Sequence, residues 1–295
     1  MGQGDSPGPD AAAAFGTLAS ETRLAILETL HDALRDHEGP GQPAVPYAEL
    51  RRRVGVEDSG KFNYHLTELT DDFVQKREGG YVLTQVGRTA AETVWRSFDL
   101  GDPGFDETSV DEDCPRCGSG LVAAYADGHV TTRCRACSGL LGVDGLRPGT
   151  VSRLPFPPAG VPDHSPTALV HAAHRRLCRH LLSMRDGVCP RCGGATEVRL
   201  SVCADHGEGL CRACGTTLPA VADTTCLRCG YGRLAPPALA AVDTPGRPLD
   251  GETAWDQFAA AASASHDPRP EQPTVRISLG GRTLVVDDTL SVRVE

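Results

Sequence analysis

The sequence predicts an α+β chain in which a helical N-terminal third is followed by small cysteine-held modules and a terminal helix with a β-hairpin. Three observations carry this. Apolar residues recur at helical spacing through the first hundred positions. All 12 cysteines lie beyond that stretch and come mostly as C-x-x-C pairs. The 33 Gly and 22 Pro, with aromatics at 5%, leave room only for modest cores. At 295 residues the chain exceeds one ordinary domain, and its composition divides it into residues 1–100, 101–148, 149–187, 188–235 and 236–295.

Within residues 1–100, the stretch from DAAAAF onward reads as two helices, the second capped by Ser20 and running to about Arg35. YAELRRRVG gives a short helix ending at Gly55, VEDSG a turn, and GKFNYHLTELTDDF another helix with Phe62, Leu66, Leu69 and Phe73 on its core side. VQKREGGYVLT reads as two brief strands around Gly79 and Gly80, and TQVGRTAAETVWRSF as a closing helix. That order is a winged helix-turn-helix. On LASETRLAILETL, YAELRRRVGVEDSGKFNYHLTEL and GYVLTQVGRTA, the chain resembles winged-helix transcription regulators of the ArsR-like type, especially archaeal ones. The resemblance implies transcription regulation through double-stranded DNA, and a homodimer. The metal-sensing cysteine pair of that family has no counterpart, since no cysteine precedes Cys114.

On the second helix of the pair, Ser59, Lys61, Asn63, Tyr64 and Thr67 lie opposite the core side and can meet base edges and phosphates in a major groove. Arg51, Arg52 and Arg53 on the preceding helix and Lys76 and Arg77 in the wing are the candidate backbone contacts. The charge balance opposes them: residues 1–100 hold ten Lys or Arg against sixteen Asp or Glu, a net of minus six. Such a surface binds DNA only if its few cations cluster and salt screens the rest.

CPRC at 114–117 is followed after sixteen residues by CRAC at 134–137, and the stretch between them alternates around Asp127-Gly128, a hairpin turn signal. Cys114, Cys117, Cys134 and Cys137 therefore read as a zinc ribbon. The second region offers Cys189 and Cys192, Cys203 and His206, Cys211 and Cys214, then Cys226 and Cys229. These eight ligands serve two tetrahedral ions, so three Zn2+ are expected in all. Sequential use of the pairs closes loops of ten and eleven residues, alternating use loops of eighteen and nineteen. Alternation would be a cross-brace, and the ligand order resembles that of RING-type zinc domains. Four-ligand sites of this kind support structure and leave no position open for catalysis, so no enzyme is expected.

PGTVSRLPFPPAGVPDHSP reads as a proline-rich connector and PTALVHAAHRRLCRHLLSMR as a helix leading into the second module, together a spacer, with Cys178 a buried core thiol. His164, His171, His174 and His180 lack the paired spacing of a further metal site. The tail carries a helix near ETAWDQFAAAASA, then a hairpin about Gly280-Gly281 and a third strand.

Acidic residues outnumber basic ones 39 to 29, and Lys61 and Lys76 are the sole lysines, which points to a salt-adapted or GC-rich prokaryotic source. No segment approaches the roughly 20 apolar residues that span a bilayer, and the N-terminus lacks signal-peptide character, so a cytoplasmic protein is expected. Gly2 and Ser6 fit a myristoylation pattern that chance produces often. Two functions follow. One is a DNA-binding transcription regulator with a C-terminal zinc-rich module for a protein partner or effector; the other is a zinc-dependent, RING-like interaction scaffold that does not bind DNA directly.

Overall fold

Helix signals in the first third act where the residues place them. The structure, a computed structural model, describes residues 9–38, 41–97, 103–207, 209–243, 253–269, 274–279 and 281–295; Gly2, Ser6 and Gly280 fall outside this set. The chain forms two compact units, Met1–Gly101 and Asp102–Glu295.

In the first unit, α1 (Pro9–Leu18) precedes α2 (Glu21–Arg35), which starts after an extended Ser20 and buries Ile26, Leu27 and Leu30. Helix α3 (Tyr47–Val54) stops at Gly55, whose left-handed φ of 76° suits a residue without Cβ. Helix α4 (Ser59–Leu69) starts where the Asp58 carboxylate accepts the N–H groups of Gly60 and Lys61 at 2.7 and 3.0 Å. It buries Phe62, Leu66 and Leu69. Phe73 is core as well, but not on that helix: the chain leaves helical geometry at Thr70, Asp71 takes a φ of 79°, and Phe73 returns to the core from the turn. Strands β1 (Val74–Arg77) and β2 (Gly80–Leu83) form an antiparallel ribbon with Arg77 opposite Gly80, and α5 (Gln85–Ser97) follows.

The second unit holds three small antiparallel sheets and one long helix that share a core. Strands β3 (Phe105–Asp113), β4 (Gly120–Ala126), β5 (His129–Cys134) and β6 (Thr150–Pro155) form the first sheet in that order. Asp127 and Gly128, with φ of 51° and 72°, make the two-residue turn between β4 and β5. Helix α6 (Pro166–Arg185) is capped by the Ser165 hydroxyl and buries Leu169, Val170, Ala173, His174, Leu177, Cys178, Leu181 and Met184. Strands β7 (Thr196–Val202), β8 (Ala220–Cys226) and β9 (Gly232–Ala235) form the second sheet. Helix α7 (Ala254–Ser263), with its Thr253/Asp256 capping box, leads to β10 (Ser265–Arg269), β11 (Thr274–Leu279), β12 (Arg282–Asp287) and β13 (Val292–Val294), the third sheet.

Two expectations are corrected here. TVSRLP is strand rather than connector: Thr150–Pro155 pairs with β5, and the buried Thr132 and Ser152 hydroxyls share a hydrogen bond of 2.7 Å. Nor is α6 a spacer, because β4, β5, β8, α7, β11 and β12 all contribute buried residues to the core it runs through. The tail gains a strand ahead of its hairpin, Ser265–Arg269, where Pro268 had masked the pairing potential. The fold is thus α+β with several antiparallel sheets. Among the described residues no helix is long and apolar enough to cross a membrane.

Candidate metal centres

All 12 cysteines are free thiols, and eleven of them join His206 in three groups of four. The first group follows from strand register. Leu121 pairs with Cys134, so the C-x-x-C before β4 meets the one that ends β5. Cys114 Sγ lies 3.7 Å from Cys137 Sγ and Cys117 Sγ 3.5 Å from Cys134 Sγ. A tetrahedral ion bound at about 2.3 Å separates its sulfurs by about 3.8 Å, whereas a disulfide would bring them to about 2 Å. The spacing therefore fits a shared ion.

The second region pairs its ligands in neither of the two expected ways. Cys189 and Cys192 join Cys226 and Cys229, while Cys203 and His206 join Cys211 and Cys214. The arrangement is nested, first pair with fourth and second with third. Strands β7 and β8 impose it: Thr196 sits opposite Cys226 at one end of their ladder and Val202 opposite Ala220 at the other. The outer group forms at the base, with Sγ separations of 3.8 Å (Cys189 to Cys229) and 3.6 Å (Cys192 to Cys226). The inner group forms at the tip, where His206 Nδ1 lies 3.5 Å from Cys214 Sγ. Seven paired residues hold the two groups about 20 Å apart. The alternating pairing that a RING-like cross-brace needs is absent from these eight ligands.

The C-x-x-C loops are built alike. In four of them a glycine follows the second cysteine at φ of 67–70° (Gly118, Gly193, Gly215, Gly230), which lets its N–H return to the carbonyl of the first cysteine. The N–H of the residue two positions on then points at the first sulfur, as Arg191 does to Cys189, Ala213 to Cys211 and Arg228 to Cys226, at 3.3–3.4 Å. Such donors favour thiolate. The Gly207 N–H is the largest influence bringing the Cys211 thiol down to about 6, while burial, together with Cys214 and Cys211, pushes Cys203 up to about 11. Thiols this close cannot all ionise without a cation among them.

A further sequence signal lies inside the loops. Every C-x-x-C encloses one arginine: Arg116, Arg135, Arg191, Arg212 and Arg228. A divalent ion with four thiolates carries a net charge of about −2, and with three thiolates and a neutral histidine about −1. The first and outer groups have two enclosed arginines each and the inner group one, matching those charges.

Cys178 is buried in the core. The four α6-region histidines go to separate partners: His164 to the Gly160 carbonyl, His171 to Glu112, His174 to the Val170 carbonyl and His180 to the Tyr231 hydroxyl.

In the first unit, Ser59, Lys61, Asn63, Tyr64 and Thr67 are all exposed along α4, opposite buried Phe62, Leu66 and Leu69. Tyr64 is 57% exposed, with the Arg23 guanidinium 5.8 Å from its ring centroid. Arg52, Lys76 and Arg77 are exposed; Arg77 reaches Gln75 at 3.2 Å. Arg53 pairs with Glu49, and Arg51 donates to the Glu57 carbonyl at 3.1 Å, so both are partly occupied within the chain.

These features define an α+β protein organised around three four-ligand cysteine and histidine groups. The chain belongs to the family of the domain of unknown function DUF7351, whose model matches residues 111–292. The model of a second domain of unknown function, DUF7347, matches residues 11–94. No curated protein and no solved structure matches the chain.

Proposed function

We propose that the chain is a DNA-binding transcription regulator whose first unit is a winged helix-turn-helix of ArsR-like type and whose second unit is held by three structural zinc ions. The observation that carries the DNA reading is α4. It has a fully buried apolar side and an opposite side of exposed Lys61, Asn63, Tyr64 and Thr67, in a helix, turn, helix and ribbon order. Lys76 and Arg77 on the ribbon, with Arg52 on α3, supply phosphate contacts.

Zinc is the ion of choice for closed sites of sulfur with one imidazole. Each would add on the order of 10 kcal/mol to a fold of small sheets. With four protein ligands apiece the sites serve structure rather than catalysis. The second unit is then available for a protein partner or effector, and two chains would address two half-sites.

Gel-shift titration of the metal-loaded protein against duplex from its own upstream region tests this. Specific binding that weakens as salt rises is expected. Indistinguishable binding to random duplex at every salt concentration overturns it.

The acid balance of residues 1–100, sixteen acidic against ten basic, favours a second reading as a protein-interaction scaffold. In that case the exposed α4 side chains contact a protein, and the gel shift fails while affinity capture through the same face succeeds.

A further inference from the structure

Tyr231 follows the last cysteine loop and is buried to 8% exposure, yet two guanidiniums lie against its ring and a third, Arg176, stands over the Phe156 ring at 5.8 Å within electrostatic reach of it. The Arg233 guanidinium lies 4.1 Å from its ring centroid and that of Arg191 5.3 Å. The His180 ring stands edge-on at 5.7 Å and shares a hydrogen bond with the hydroxyl. Arg176, one turn before His180 on α6, acts electrostatically on His180, Tyr231 and Arg233 alike.

Among the described residues, Arg176, Arg191 and Arg233 enter none of the ion pairs, whereas Glu107 alone takes Arg133, Arg135 and Arg147. Burial first, then Arg176, Arg233 and Arg191, push the His180 imidazole down to about 4; every charge acting on it is an arginine. Arg176 and Arg191 are exposed and Arg233 partly so, and Arg233 spends one donor on the Gly232 carbonyl at 2.7 Å, so donors of three guanidiniums remain for an anion. Arg191 is accounted for by the outer thiolate group it is enclosed in, but Arg176 and Arg233 lie outside every cysteine loop.

We infer that Arg176, Arg191 and Arg233, with His180 and the Tyr231 hydroxyl beside them, form a binding site for the phosphate group of a small phosphorylated molecule. Guanidiniums suit a phosphate because their donors match its oxygens two at a time. Arg233 is only partly exposed, which favours a compact group over a duplex backbone. The site depends on the folded outer metal group but not on the first unit binding DNA.

Calorimetric titration of the full-length, metal-loaded chain with inorganic phosphate, and separately with glycerol phosphate, tests the inference. Saturable one-to-one binding of at least one probe is expected, and the tighter one identifies inorganic phosphate or a monoester as the source. Arg233→Gln and Arg176→Gln should each weaken it about 10-fold or more, while Arg293→Gln on β13 leaves it unchanged. Metal content is measured on every variant. Arg176 lies outside the cysteine loops, so its variant remains decisive even if Arg233→Gln disturbs the outer group. Absence of saturable binding by both probes, or equal affinity in the Arg176→Gln chain, overturns the inference. So does duplex DNA binding that these substitutions abolish while neither probe binds.

Discussion

His206 Nδ1 lies 3.5 Å from Cys214 Sγ, which makes a ring nitrogen the fourth member of an otherwise all-sulfur inner group. His206→Ala is therefore expected to lower the metal content of the intact chain from three ions to two, whereas His206→Cys keeps three because a thiolate can complete the same tetrahedron. Native mass spectrometry counts the ions; an unchanged count in the alanine variant removes His206 from the ligand set.

Nesting makes a combinatorial prediction. Cys192→Ser with Cys226→Ser strikes one group twice and should release a single ion, while Cys192→Ser with Cys211→Ser strikes two groups and should release two. Sequential pairing would reverse the first outcome, and alternating pairing would reverse both. The same ion count decides among them.

The pH dependence of stability should carry the signature of His174. The ring is fully buried between Trp255 and Phe258, and burial lowers its pKa to about 4, below the ordinary value of 6.5. The unfolded chain thus takes up a proton near pH 6.5 that the folded chain refuses until about pH 4. Stability from the neutral ring is complete above pH 6.5 and falls as pH drops towards 4, by about 2 kcal/mol at pH 5. His174→Phe, which removes the titration and keeps a ring, should narrow the loss. Melting curves of both chains from pH 7.5 to 5 provide the measurement, and parallel curves would refute the assignment.

Substitutions on the two sides of α4 should separate folding from binding. Leu66 is 2% exposed, and Leu66→Ala should cost about 2–5 kcal/mol of unit stability by opening a cavity. Asn63→Ala, on the exposed side, should leave the melting temperature within about 2 °C while weakening duplex binding about 10-fold. A variant of Asn63 that binds the upstream duplex as the parent does would take that residue out of the interface.

How far the sequence carried depended on whether a signal was local. The bounds of α6 follow from Ser165, Pro166 and the apolar spacing after them, and the β4–β5 turn from Asp127-Gly128. The ligand identities were equally legible, since two-residue spacing places both thiols on one loop. Pairing between loops was not, because it is set by which strands form a ladder, and β7 and β8 are separated by the whole inner group. Strand β3 escaped for a different reason: FDETSVDED has the charge of a solvated segment and pairs only because β4 offers it an edge. Phe73 satisfied helical spacing from a turn, which shows that periodicity reports burial more faithfully than helix ends.

With an ion bound at each end, the β7–β8 ladder would acquire an order of unravelling. A chelator that stripped the tip would free only the stretch between the two strands and leave seven rungs clamped at the base, whereas stripping the base would detach Cys189 and Cys226, which share a small apolar cluster with Met184 of α6. A half-emptied chain would therefore persist as a sheet with a loose end, a discrete intermediate rather than a melted module.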